Sequence, residues 1–186
     1  MRWQLSTDTR GMEIIPGVGV DAAKIGDPRE VVERRLGSPA HAGVHTRAVY
    51  DSVDPTLVLT YDQDDAVELI EVGYGQHDQV FFDGVQLTYR FRAEVTADLA
   101  AKGHPGTPSD IGFNLRAGFT IFSMASLSAH RLDPAAPEDD PRRIVEGVAI
   151  APYSYFTDDA PPLSGTAEEL EAWLRDRGVL PTKASD

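Results

Sequence analysis

Two stretches of this chain carry the same pattern. Tyr50-Asp51-Ser52-Val53-Asp54-Pro55-Thr56-Leu57-Val58-Leu59-Thr60-Tyr61 aligns without a gap on Phe113-Asn114-Leu115-Arg116-Ala117-Gly118-Phe119-Thr120-Ile121-Phe122-Ser123-Met124. Each reads as strand, turn, strand. Each follows a short helix with Glu-Val in its first half and Gly at its end: Glu30-Val31 to Gly37, and Glu94-Val95 to Gly103. A recurring unit constrains architecture more than any local propensity, because each copy must bury its apolar face by the same rule.

The first unit opens on a helix start at Asp27-Pro28-Arg29-Glu30. Asp suits the cap, Pro the first helical position, and Glu the third position of a capping box. Val31, Val32 and Leu36 form its apolar stripe; Gly37 and Pro39 stop it. Strands follow at 48–51, 56–61 and 66–74, the last two joined by the Asp62-Gln63-Asp64-Asp65 turn. The second unit begins with a half-buried strand over 85–91, where Val85, Leu87, Tyr89 and Phe91 alternate with Gln86, Thr88 and Arg90. A helix over 93–102 and strands at 110–114, 119–124 and 144–156 complete it. Here the hairpin turn has grown into an Ala-, Pro- and Asp-rich insertion over about 127–142. Loops of that length are often functional. Thr166-Ala167-Glu168-Glu169 then caps a final helix over 166–178, with Leu170, Trp173 and Leu174 on one face.

These signals predict an α+β protein forming a single domain over 1–186. Pseudo-repeats at 13–79 and 80–156 share one twisted, mainly antiparallel sheet of about seven or eight strands, with the helices on one face and an extra C-terminal helix. The expected core includes Val31, Leu36, Val58, Ile70, Leu87, Val95, Leu99, Ile121, Val148 and Trp173.

Thirty acidic residues against 17 basic ones leave a net charge of −13 over 186 residues. A surface of that sign repels phosphate backbones and anionic membranes and favours a basic protein partner. The absence of cysteine excludes disulfides, thiolate nucleophiles and Cys-ligated metals. Residues 1–8 lack a signal-peptide core, and no stretch has the length of a bilayer span, so the expected location is cytoplasmic.

Chemistry-bearing motifs are weak. Gly17-Val18-Gly19-Val20-Asp21-Ala22 matches G-x-G-x-x-A, but Gly26-Asp27-Pro28 interrupts where a dinucleotide site needs a helix, so it reads as a glycine-rich turn. His41 and His45 have metal spacing for a helix, yet Gly37, Pro39 and Gly43 place them in a loop. His77, His104 and His130 also fall in loops and read as exposed. Asp62, Asp64 and Asp65 lack the glycine and spacing of a calcium loop. Glu68 and Glu71 fall on opposite faces of a strand and cannot pair as acid and base. Glu30 and Glu94 suit helix starts. No catalytic residue, cofactor or metal is therefore assigned.

The clearer signal is aromatic. On a strand over 144–156, Val148 and Ile150 share one face and Tyr153 and Tyr155 the other. Tyr153 and Tyr155 then lie on the open side of the sheet, beside Arg90, or pack beneath the final helix. Tyr and Arg dominate protein interfaces.

The phrase Ile14-Ile15-Pro16-Gly17-Val18-Gly19-Val20, followed by Ile25-Gly26-Asp27-Pro28-Arg29-Glu30-Val31-Val32-Glu33-Arg34-Arg35-Leu36-Gly37-Ser38-Pro39, resembles the opening of small bacterial helix-plus-meander repeat proteins. Phe82-Asp83-Gly84-Val85-Gln86-Leu87 resembles the phrase before their second helix. The unit resembles the repeats of the β-lactamase inhibitor protein and of BamE-like modules. That resemblance implies protein binding through a sheet face, without catalytic residues. The reading is a non-catalytic intracellular protein-binding inhibitor, an immunity-type protein masking a basic toxin or enzyme. Its partner-binding residues are Tyr153, Tyr155, Arg90 and the acidic loop Glu138-Asp139-Asp140. The alternatives are an enzyme with a dispersed carboxylate or histidine site, and a self-assembling structural module.

Overall fold

The structure, a computed structural model, describes residues 11–42, 46–73 and 79–157. The expected C-terminal helix with Trp173, the leader, His45 and His77 lie outside the described residues.

The elements run β1 (Met12–Glu13), α1 (Arg29–Leu36), β2 (His41–Ala42), β3 (Arg47–Tyr50), β4 (Leu57–Tyr61), β5 (Val67–Val72), β6 (Val80–Phe82), β7 (Val85–Gln86), α2 (Arg92–Ala101), β8 (Gly106–Pro108), β9 (Gly112–Leu115), β10 (Phe119–Phe122) and β11 (Gly147–Ile150). The fold is α+β. An eight-stranded sheet has the order β2-β3-β4-β5-β11-β10-β9-β8, and a three-stranded sheet the order β1-β6-β7. Every ladder of the large sheet is antiparallel.

That order is a palindrome: α1 precedes the meander β2–β5, α2 precedes β8–β11, and the two last strands pair. At the junction Val72 faces Val148 and Ile70 faces Ile150, with Glu71 opposite Ala149 between them. Within the halves, Leu57 pairs with Val72 and Leu59 with Ile70, as Phe119 pairs with Ile150 and Ile121 with Val148.

Loop hydrogen bonds extend the correspondence to the helix starts. The Arg29 N–H donates to the Asp65 carbonyl (2.9 Å) and the Arg92 N–H to the Arg143 carbonyl (2.8 Å). The Val67 N–H reaches the Asp27 carbonyl (3.0 Å), as the Val145 N–H reaches that of Arg90 (2.9 Å). Gly26 and Tyr89 donate alike, to the Val67 and Val145 carbonyls at 2.7 and 2.9 Å.

One core lies between the large sheet and the helices. Leu57, Leu59, Ile70, Ile121, Val148 and Ile150 meet Val32, Val95 and Leu99 there, and Val80 and Val85 of the small sheet join them with Leu87 just beyond it. Val31 is only half-buried, and Val32 takes the inward place on α1. Val58 is buried but alternates to the opposite sheet face from Leu57 and Leu59.

The ungapped alignment sets Leu57 opposite Thr120. The ladders instead pair Tyr50 with Leu57 and Leu115 with Phe119, so Leu57 answers to Phe119 and Tyr50 to Leu115. The turn at 116–118 is shorter than that at 51–56, and an alignment blind to strand pleat missed the change. Two strand expectations are corrected as well. The strand over 85–91 ends at Gln86, because Thr88 turns inward, fully buried, and accepts the Val80 N–H (3.0 Å), and Tyr89 takes φ +55°. The strand over 144–156 ends at Ile150; Pro152 begins a 3-10 turn over Tyr153–Phe156. The capping box is corrected too. Pro28 is the N-cap residue, and the Asp27 carboxylate accepts from the Lys24 N–H (3.0 Å) and Arg35 (3.2 Å) instead.

Candidate functional site

Each half ends in a concavity where its last hairpin closes, and the two differ in chemistry. In the first half, Thr46, Tyr61, Asp62, Gln63, Asp64 and Glu68 line an open cavity of about 460 Å3. Thr60 pairs with Leu69 but Tyr61 with Val67, so Glu68 is the extra residue of a bulge, a device that re-aims a side chain. Asp62 organises the turn by accepting the Asp64 and Ala66 N–H groups at 2.9 and 3.0 Å. Beneath it Tyr61 and Tyr50, both about 1 % exposed, share a hydroxyl–hydroxyl bond of 2.8 Å. Burial, then the bond to Tyr50, pushes the Tyr61 phenol far above its ordinary range. The Arg29 guanidinium covers the Tyr61 ring at 3.9 Å and pairs with Asp65 at 2.7 Å.

The sheet face opposite the helices continues from this acidic end. Pleat alternation puts Arg47, Val49, Val58, Thr60, Glu71, Ala149, Thr120 and Asn114 there. Arg47 and Glu71 form an ion pair at 2.9 Å. The 3-10 turn Tyr153–Phe156 lies against β9 and β10, and the Asn114 side-chain amide donates to the Phe156 carbonyl at 2.6 Å. Tyr155 is 42 % exposed and stacks edge-on against Phe156. Burial of its inner part raises its phenol pKa, and the Glu68 and Glu71 carboxylates raise it further. The result is a half-exposed tyrosine in a field of carboxylates that disfavours its ionisation.

In the second half the equivalent end is apolar. Gly73, Tyr89, Phe122, Met124, Ser126, Leu127 and Glu146 line a pocket of about 350 Å3. The carboxylate of Glu146 accepts from the Ser126 N–H (3.0 Å), the Ser123 hydroxyl (3.2 Å), the Leu127 N–H (3.4 Å) and the Ser126 hydroxyl.

The sequence-predicted residues separate into two groups. Tyr153, half-buried, and Tyr155 share the 3-10 turn rather than a strand face. Arg90 is not beside them. Its strand stops short, and its guanidinium pairs with Asp98 (2.8 Å) and Glu94 (3.9 Å) of α2. Glu138 and Asp139 are exposed. Asp140, with Asp133, is taken up by Arg142 at 2.7 and 2.8 Å, and the guanidinium lies 4.3 Å over the Phe91 ring. Those bonds to Arg142 hold both carboxyls below their ordinary pKa.

Sequence reading passed over Glu68, Glu71, Tyr89 and Glu146 as a set. The bulge and the turn at Tyr89 emerge only in the fold; Glu68 is the second residue of β5 and Glu146 directly precedes β11. His104 is half-buried rather than exposed. Its Nε2 meets Asp83 Oδ2 at 3.0 Å, its ring packs on Phe82 at 4.6 Å, and Lys102 adds a contact to Asp83 at 3.6 Å. Among the described residues, no group of three or more His, Asp or Glu is placed to hold a metal ion, and no helix is long and apolar enough to cross a membrane.

No family model, curated protein or solved structure matches this chain.

Proposed function

We propose that this chain is a non-catalytic protein-binding inhibitor of the immunity type, acting in the cytoplasm by masking a basic toxin or enzyme. The observation that carries the reading is Tyr155, 42 % exposed on the 3-10 turn that lies against the sheet face away from the helices, where the Glu68 and Glu71 charges raise its phenol pKa. An exposed aromatic anchor in an acidic field suits a lysine- or arginine-rich surface, and a net charge of −13 speeds encounter with it. Inhibition follows by occlusion: the sheet face covers the partner's basic working surface.

The test uses the full chain immobilised against lysate of its own cells, at low and high salt. The expected catch is a basic protein released by salt. Its affinity falls on the order of thirtyfold with Tyr155→Ala and further with Glu68→Lys added. Glu138→Lys, on the insertion over 127–142, leaves it nearly unchanged. Recovery of no basic partner at low salt, or capture indifferent to Tyr155→Ala, sinks the reading.

A further inference from the structure

The equivalence of Gly26 and Tyr89 leads to a second binding site. Both stand just before a helix start, both donate to a carbonyl at the entry to the last strand of the half (Val67 opens β5, Val145 stands two residues before β11), and both have positive φ, +84° and +55°. The first half meets that backbone demand with the residue that adopts it freely. The second half uses tyrosine, which adopts it at a cost, and the Tyr89 ring becomes a wall of the 350 Å3 pocket. Met124, another lining residue, stands 63 % exposed, and Ala125 beside it in the chain is also left-handed, at φ +57°. Exposed methionine is a soft, adaptable contact for a ligand.

Glu146 supplies the polar end. All its hydrogen-bond partners are neutral, two serine hydroxyls and two backbone N–H groups, and among the described residues no cation pairs with it. Four donors hold the carboxylate in place without cancelling its charge. Three of them bind Oε1 and one binds Oε2, which leaves acceptor capacity on Oε2. The half-buried Tyr89 side chain, an exposed thioether and one oriented carboxylate with no paired cation among the described residues match an alkyl stem ending in a planar cation, while the buried Phe122 floors the pocket. Guanidinium stacks on aromatic rings and sheds water more readily than ammonium.

We propose that the pocket between Tyr89, Phe122, Met124, Leu127 and Glu146 is a socket for an arginine side chain of the partner. It rests on the reading of a basic protein partner and gives that partner a second anchor point, apart from Tyr155.

The test titrates N-acetyl-arginine amide into the full chain and follows the Met124 methyl resonance, with N-acetyl-citrulline amide as the uncharged isostere. Arginine amide is expected to shift the Met124 signal saturably, and citrulline amide to bind roughly tenfold more weakly. Glu146→Gln is expected to erase that discrimination. Because Glu146 also pins the 123–127 turn, a second variant carries the test: Tyr89→Gly. Glycine stands at the equivalent place in the first half, so this variant is expected to keep the fold and lose arginine binding. No Met124 shift with arginine amide overturns the socket, as does equal binding of citrulline amide, or undiminished binding by Tyr89→Gly. Each of these outcomes is independent of salt-sensitive partner capture through Tyr155, so either conclusion can fail alone.

Discussion

The two ends of the sheet are built on the same ladder and finished differently. In the first half β4 returns to β5 through a tight turn whose Asp62 carboxylate caps its own backbone. In the second half the chain leaves β10 at Phe122 and re-enters at Gly147, after a 3-10 turn over Ala129–Arg131 and a clamp of Asp133 and Asp140 on Arg142. The paired strands on either side keep matching registers. Loop closure costs little per added residue, so a long insertion is tolerated where both hairpin strands are anchored. The framework holds, and the chemistry at the hairpin ends diverges: acidic and open in one half, apolar with one carboxylate in the other.

The cores diverge too. Where the first half buries Tyr50 and Tyr61 as a hydroxyl pair, the second has Leu115 and Ser123 at the corresponding ladder positions. The buried phenols make the first half depend on one polar bond that the second half does without.

The largest expected effect tests whether the halves are one unit. Ile70 and Ile150 face each other across the central ladder and are fully buried. Ile70→Ala should cost about 2–5 kcal/mol and lower a single unfolding transition shared by both halves. Urea denaturation followed by circular dichroism and by tyrosine and tryptophan fluorescence reads this. Two separated transitions would break the picture of a joint core.

Next in size is the phenol pair. Tyr61→Phe strands the Tyr50 hydroxyl without its partner and should cost roughly 1–3 kcal/mol, while the double replacement Tyr50→Phe, Tyr61→Phe should recover much of that. A double mutant no more stable than the single one would show that the hydroxyls do not act as a pair.

The smallest effect concerns the insertion. Arg142 lowers the pKa of Asp133 and Asp140 in the folded protein. Their clamp is therefore complete above the ordinary carboxylate value of about 4 and is lost as pH falls through the lower folded values. Amide exchange in 127–142 should accelerate below that point, and Arg142→Gln should make exchange fast already at neutral pH. An acid-insensitive loop in the wild type would mean that packing, not the clamp, orders it.

Much of the fold was legible because its signals are local. Pro28 and Glu30 mark a helix start, Gly37 and Gly103 mark helix ends with positive φ, and β-branched runs mark β4, β5 and β11. The site was harder to read. Tyr153 and Tyr155 looked like strand residues because they continue the alternation of Val148 and Ile150, yet Pro152 opens a turn there. Arg90 looked like part of a strand because the alternation from Val85 onward carries no mark of the left-handed Tyr89. Glu68 lies near the start of β5 and Glu146 directly before β11, but nothing in the one-dimensional pattern says that one sits in a bulge and the other accepts hydrogen bonds from two serines.

Periodicity, glycine and proline placement and composition determined the α+β class, the positions of α1 and α2 and the acidic net charge, because each depends on neighbours along the chain or on the residue count alone. Tertiary structure alone decided that the last strands of the two meanders join, that the correct match runs Leu57 to Phe119, and that Tyr89 stands where the first half has Gly26. Those facts depend on hydrogen bonds between distant backbones, and a one-residue change in a turn reverses which face a side chain takes.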